Sequence, residues 1–287
     1  LLVDNESAIE EAIDADFGGR PRVETQVAEL FPSIAEVRAA LRGARRWMKP
    51  RGAWVSKWFL PARAWIMPRP VGVVGIIVPW NYPLFLAVGP LAGALAAGNR
   101  AMIKMSEYTP AFSALLQRLV GQAFAPEEVA VVTGGADVAA AFAALPFDHL
   151  VFTGSTSVGR KVMAAASANL TPVTLELGGK SPAVVAPGYP LERAATRIMA
   201  GKLLNAGQTC IAPDYVLVPR EGLDAFVEHA RTRARAMHPA GLADRDYCSI
   251  VDARQYERLL GYLDDAMASG VRRSEEHTSE LQSHLNL

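Results

Sequence analysis

Charge of one sign is not in excess. Lys and Arg number 29 and Asp and Glu number 29, so the 287 residues carry a net charge of +0. Such a balance gives no bulk attraction toward nucleic acid or an anionic membrane. Cysteine is nearly missing: only Cys210 and Cys248 occur. Two lone thiols make no disulfide framework, so a reducing, cytoplasmic setting is expected. No basic stretch followed by an apolar core opens the chain, and no secretory leader is read there. Leu1, Leu2, Ala8, Ile9, Ala12 and Ile13 instead share one helical face, as if the chain entered partway through a first helix. Internal repeats are absent, and so is the Gly-x-Gly-x-x-Gly dinucleotide fingerprint.

One uncharged stretch is long enough to span a bilayer, from Val71 to Gly98. Pro79, Pro83 and Pro90 interrupt it, with Trp80-Asn81-Tyr82 at its centre. Proline breaks suit a strand followed by a short helix better than one continuous span, so no membrane association is expected.

From there the pattern alternates. Val71–Val78 is a solid apolar run of the kind found in parallel strands buried on both faces. Leu84–Ala97 reads as a helix stopped by Gly98-Asn99. Strands at Ala101–Lys104, Val129–Val132, Leu150–Phe152 and Val173–Leu175 alternate with helices at 110–123, 136–144 and 158–168. This rhythm predicts an α/β fold with a doubly wound, Rossmann-like sheet over residues 1–178. After the Gly178-Gly179 pair, strands at Ala183–Val185 and Tyr215–Val218 and helices at 191–204, 223–237 and 256–267 begin a second α/β domain, 179–272. Ala62–Met67 reads as one strand of a projecting hairpin with no evident partner. Residues 273–287 (RSEEHTSELQSHLNL) show no structural period. They resemble translated sequencing-adapter read-through and are expected to be a non-native tail.

Several residues carry chemistry. Cys210 closes Gly207-Gln208-Thr209-Cys210 between a helix and a strand, where Gly207 allows a close bend. A lone cysteine is more often a small core residue, and Cys248 is read that way. Glu176 ends an apolar strand just before a glycine pair, where α/β folds keep their sites. A partly buried glutamate there would have a raised pKa and act as a base near neutral pH; the plain alternative is a solvated strand end. Phe152 to Gly159 runs strand, turn, helix start, placing Gly154, Ser155 and Gly159 where backbone N–H groups attract phosphate. Ser155 also suits a simple N-cap. Lys104 and Glu107 leave a strand end, either to hold ribose hydroxyls or as a surface ion pair. Asn81 offers an amide donor on a rigid turn, suited to an oxyanion or to bonding its own backbone.

Taken together, Pro-Trp-Asn-Tyr-Pro (79–83), Lys-Met-Ser-Glu (104–107), Phe-Thr-Gly-Ser-Thr-x-x-Gly (152–159), Leu-Glu-Leu-Gly-Gly-Lys-Ser-Pro (175–182) and Gly-Gln-Thr-Cys (207–210) occur in one order. In that order they closely resemble the aldehyde dehydrogenase superfamily over residues 1–272. Ala-Pro-Asp-Tyr after Cys210, together with Pro90, looks like the class 3 branch, and the chain looks most like coniferyl aldehyde dehydrogenases. The resemblance implies oxidation of a small-molecule aldehyde to a carboxylic acid with NAD, or NADP. It implies Cys210 as nucleophile, Glu176 as general base, and Asn81 with the Cys210 N–H as oxyanion donors. Pro79, Trp80, Lys104, Glu107, Gly154, Ser155, Gly159 and Leu177 would contact the cofactor, no metal is implied, and a homodimer is expected for the parent enzyme.

One departure stands out. The family carries a Glu-x-Phe-Gly-Pro motif whose Glu grips the nicotinamide ribose, and no Phe-Gly-Pro follows Cys210 here. Two other readings therefore accompany the first: an inactive, truncated nucleotide-binding chain, and a relative that passes its acyl group to coenzyme A. Glu176 argues against the second, because acyl-transferring relatives generally lack the base.

Overall fold

The computed structural model describes residues 1–271. A 3-10 turn at Val3–Asn5 leads into α1 (Glu6–Phe17), which buries Ile9, Ile13 and Phe17. The first helix thus begins at Glu6 instead of running in from Leu1, because the Asn5 N–H bonds back only three residues, to the Leu2 carbonyl. Gly18 ends it at φ 65°, its N–H returning to the Asp14 carbonyl, and Gly19 follows at φ 140°. Only glycine adopts two such angles cheaply. The reversal sends Arg20 into the protein interior.

α2 (Arg22–Thr25) and a π-turn at Gln26–Leu30 continue into α3 (Phe31–Trp47). These helices are not expected from the sequence, since small residues and four arginines leave α3 without a continuous apolar stripe. β1 (Arg51–Ala53) then pairs antiparallel with β2 (Ala64–Ile66), Gly52 opposite Trp65. The hairpin strand expected at Ala62–Met67 is present, shortened. Its partner is only three residues long, Arg-Gly-Ala, too short and too polar to announce itself.

The central layer follows as β3 (Val73–Ile77), α4 (Phe85–Ala96), β4 (Arg100–Lys104), α5 (Pro110–Ala123), β5 (Val129–Val132), α6 (Ala136–Ala143), β6 (His149–Gly154), α7 (Thr156–Ser167) and β7 (Val173–Leu177). The five strands are all parallel, in the order β5-β4-β3-β6-β7. β4 and β5 lie on one side of β3, and β6 and β7 on the other, so the winding reverses between β3 and β6. The alternating side chains of β3 serve two cores. Val74 and Ile76 pack with α1, α4 and α5. Ile77 packs with Phe142 and Val162 of α6 and α7. This is the doubly wound sheet that the alternation predicts.

The uncharged run 71–98 resolves into β3, a proline turn and α4. Among the described residues, no helix is long and apolar enough to cross a membrane. The sheet ends at Leu177. β8 (Ser181–Val184), α8 (Leu191–Leu203), β9 (Pro213–Leu217), α9 (Leu223–Met237) and α10 (Ala253–Ala268) follow, with β8 and β9 paired in a separate two-stranded parallel sheet. Ala194, Ala195, Val185 and Phe226 form its small core. The tail at 273–287 lies outside the described residues.

Candidate active site

In a parallel sheet every strand delivers its C-terminus to one edge. Ile77 stands opposite Lys104 and Phe152, Thr153 opposite Glu176, and Gly154 opposite Leu177. Pro79-Trp80-Asn81, Lys104, Glu107, Gly154-Ser155 and Glu176-Leu177 therefore emerge along one edge, around the β3/β6 reversal. Open α/β sheets hold ligands in the crevice at such a reversal.

The Cys210 turn is fastened to the β3–α4 turn. Asn81 Nδ2 donates to the Gln208 carbonyl at 2.9 Å. The hydroxyls of Tyr82 and Thr209 are 2.5 Å apart. Upstream, Asn205, Ala206 and Gly207 have φ of 54°, 52° and 76°. Three successive left-handed residues, two of them not glycine, form a costly track. Buried Asn205 supports it: its N–H reaches both Glu24 carboxylate oxygens at 3.2 Å, and its Nδ2 donates to the carbonyls of Asn81 and Gln208. Gln208 Nε2 donates to the Ser249 carbonyl, and its Oε1 accepts from the Val251 N–H. Cys210 itself is exposed.

Cys210 also lies against the Glu176 loop. A Cβ placed on Gly179 would be 3.2 Å from the Cys210 carbonyl oxygen. Glycine there lets the two turns approach backbone to backbone. Glu176 is exposed, not partly buried as its sequence setting suggests. β7 is an edge strand whose Val173, Leu175 and Leu177 face the core, leaving Thr174 and Glu176 on the open face.

The remaining candidates divide. Lys104 is fully buried: Nζ donates to the carbonyls of Met105 and Gly134, both at 2.7 Å, and burial pushes its pKa down. It is therefore no surface partner of Glu107, which is exposed. Ser155 is the N-cap of α7, its hydroxyl accepting from the Val158 N–H at 3.3 Å. The Gly159 N–H is taken by the Ser155 carbonyl. A Cβ on Gly159 would come within 2.9 Å of Leu177 Cδ2, so this glycine lets α7 pack tightly on β7. Trp80 tilts against Phe17 with ring centroids 6.3 Å apart. Cys248 is buried and donates to Asn205 Oδ1 at 3.2 Å, and burial pushes its thiol up to about 12. It is a packing cysteine, as the sequence suggests.

Sequence reasoning misses the residues behind the turn. Arg20 Nη1 donates to Glu29 Oε1 at 2.9 Å and to the Asn81 carbonyl at 3.3 Å. Glu29 Oε2 accepts the Leu84 and Phe85 N–H groups at the start of α4, both at 2.9 Å. Burial pushes its carboxyl up to about 7, opposed by Arg20 and those two N–H groups. Both oxygens accept hydrogen bonds, as the carboxylate does once it is ionised above that value. Nothing in the sequence flags an Arg and a Glu nine residues apart as a buried pair.

A sequence model described as "Aldehyde dehydrogenase family" matches residues 1–282. The chain belongs to the aldehyde dehydrogenase family. It is 54% identical over 271 residues to a "Probable coniferyl aldehyde dehydrogenase" of Pseudomonas aeruginosa, covering 94% of this chain and 57% of that protein. It is 48% identical over 272 residues to a "Coniferyl aldehyde dehydrogenase" of a Pseudomonas species, covering 95% and 56%. Among solved structures, AldH of Staphylococcus aureus in a substrate-bound state superposes with a TM-score of 0.88 at 37% identity, over 93% of this chain and 58% of that one. A Mycobacterium tuberculosis aldehyde dehydrogenase complexed with NAD+ gives 0.86 at 28% identity, over 98% and 58%. The chain thus spans a little over half the length of the family members it matches.

Proposed function

We propose that this aldehyde dehydrogenase chain supplies the nucleophile, oxyanion donors and cofactor crevice for NAD(P)-dependent oxidation of an aldehyde to a carboxylic acid. One observation carries the reading: the turn bearing Cys210 is bonded directly to the side chain of Asn81. An amide has two N–H donors. With one held on the Gln208 carbonyl, the other has a fixed direction in which to meet an oxyanion.

The Cys210 thiolate attacks the aldehyde carbon, and Asn81 Nδ2 and the Cys210 N–H take up the charge on oxygen. The sheet edge at the β3/β6 reversal is where open α/β sheets take a nucleotide. The N-terminus of α7 favours phosphate, and Gly159 draws that helix close to Leu177. A nicotinamide dinucleotide held there would supply the hydride acceptor, and Cys210 would then carry the acyl group as a thioester. Glu176 then takes a proton from water, which attacks the thioester and releases the acid and the free thiol. The names of the Pseudomonas relatives support an aromatic, coniferyl-like aldehyde. A cytoplasmic homodimer is the setting proposed for the whole enzyme.

The test is incubation with coniferyl aldehyde and NAD, following reduced nicotinamide by absorbance and acyl-Cys210 by mass spectrometry. Both signals are expected, and both vanish in Cys210→Ala. Neither signal with the wild-type chain would sink the catalytic reading. A second reading, dinucleotide binding without turnover, is favoured by the exposure of both Cys210 and Glu176, since such chemistry gains from exclusion of water. Calorimetric binding of NAD with neither signal supports it.

A further inference from the structure

Arg20 is costly to bury. Its side chain is completely buried, as is that of its partner Glu29. Nε and Nη2 have no hydrogen-bond partner, and the rings of Phe17 and Tyr82 lie 4.9 and 5.1 Å from the guanidinium carbon. A buried ion pair commonly adds no more stability than well-packed apolar residues would. Unsatisfied donors make it worse. Stability alone does not account for an arginine here.

Its contacts do. Nη1 is shared between the Glu29 carboxylate and the Asn81 carbonyl. The same carbonyl accepts Asn205 Nδ2 at 3.1 Å, so both its lone pairs are in use. Peptide 81 is gripped from behind while the Asn81 side chain is held in front by the Gln208 carbonyl. Glu29 anchors the arrangement to the sheet layer by capping α4 through Leu84 and Phe85.

We infer that Arg20, seated on Glu29, is a positioning residue that fixes the Asn81 amide for its role as oxyanion donor. It touches no reacting atom and acts through the peptide carbonyl. The inference rests on the oxyanion role proposed above for Asn81, and its test separates the two. In the 15N-labelled chain, the Asn81 side-chain N–H pair is assigned as the pair lost in Asn81→Asp. Two distinct resonances are expected, one for the proton on the Gln208 carbonyl.

In Arg20→Gln, and in Arg20→Lys, which keeps a charge beside Glu29, the pair is expected to collapse to averaged shifts while the backbone signals of the central sheet persist. Where turnover is measured, kcat falls about tenfold to a hundredfold with KM for aldehyde little changed, as expected on misplacing an oxyanion donor. An unchanged Asn81 pair in either folded variant overturns the assignment. So does failure of both variants to fold, which would make Arg20 a residue of the fold alone. Collapse of the pair in a protein that never acylates Cys210 upholds the positioning and sinks the catalytic reading instead.

Discussion

The Tyr82 and Thr209 hydroxyls, 127 residues apart in sequence, meet at 2.5 Å in a half-buried setting. With the Asn81–Gln208 and Asn205–Asn81 bonds, this contact stitches the β3–α4 turn to the turn that carries Cys210. Tyr82→Phe leaves the Thr209 hydroxyl without that partner and should cost about 1–2 kcal/mol. Urea unfolding measures it. A loss under a few tenths of a kcal/mol means that the two turns are held without this bond.

The two cysteines should separate cleanly under a thiol reagent. Cys210 is exposed and Cys248 is 2% exposed, its thiol pushed up to about 12 by burial. Thiolates are the reactive species. At pH 8 one equivalent should react quickly, and the second only on adding denaturant. Cys210→Ser should remove the fast phase. Two fast equivalents in the wild type would show that the Asn205–Cys248 contact opens readily.

These contrasts show what a linear sequence carries. The alternation of apolar runs with Gly/Pro breaks after Val71 is local, and it foretells all five strands of the main sheet to within a few residues. The motifs around Asn81, Glu176 and Cys210 are local too, and the fold sets them along one sheet edge. What is not legible depends on tertiary pairing. Arg51–Ala53 becomes a strand only because Ala64–Ile66 lies beside it. Arg20 and Glu29 look like surface charges until Gly18 and Gly19 turn the chain inward. Lys104 looks like a strand-end cation until the Met105 and Gly134 carbonyls are seen around it. The exposure of Glu176 follows from β7 lying at the sheet edge, which composition does not reveal.

Glu29 gives a pH signature. Its carboxyl moves from 4.5 to about 7 on folding, with burial the largest cause. Between those values the folded chain holds a proton that the unfolded chain has released. Stability therefore falls as pH rises through that window and levels off above it. The wild-type advantage over Glu29→Gln should shrink by at most about 3 kcal/mol from pH 4.5 to pH 7. Paired urea titrations at several pH values read it. An advantage that grows with pH would mean that Arg20 and the α4 amides outweigh burial.

Glu176 separates hydrolysis from acyl transfer. It stands on the open face of β7, and Gly179, three residues on, is packed against the Cys210 carbonyl. A base so placed has no part in forming the thioester, which needs only the thiolate, the oxyanion donors and a hydride acceptor. In the mechanism proposed above it acts only when water must be deprotonated. Glu176→Gln keeps the shape and removes the base, so a single burst of reduced cofactor should survive. Steady turnover should fall by about a hundredfold or more, the usual contribution of a positioned base. Rapid-mixing absorbance separates the two phases, and acyl-Cys210 should accumulate by mass. Adding coenzyme A discriminates further: if it restores turnover in Glu176→Gln and also speeds the wild type, an outside thiol is the natural acceptor. If turnover stays unchanged in the variant without coenzyme A, water is activated by another group and Glu176 is only a solvated strand end.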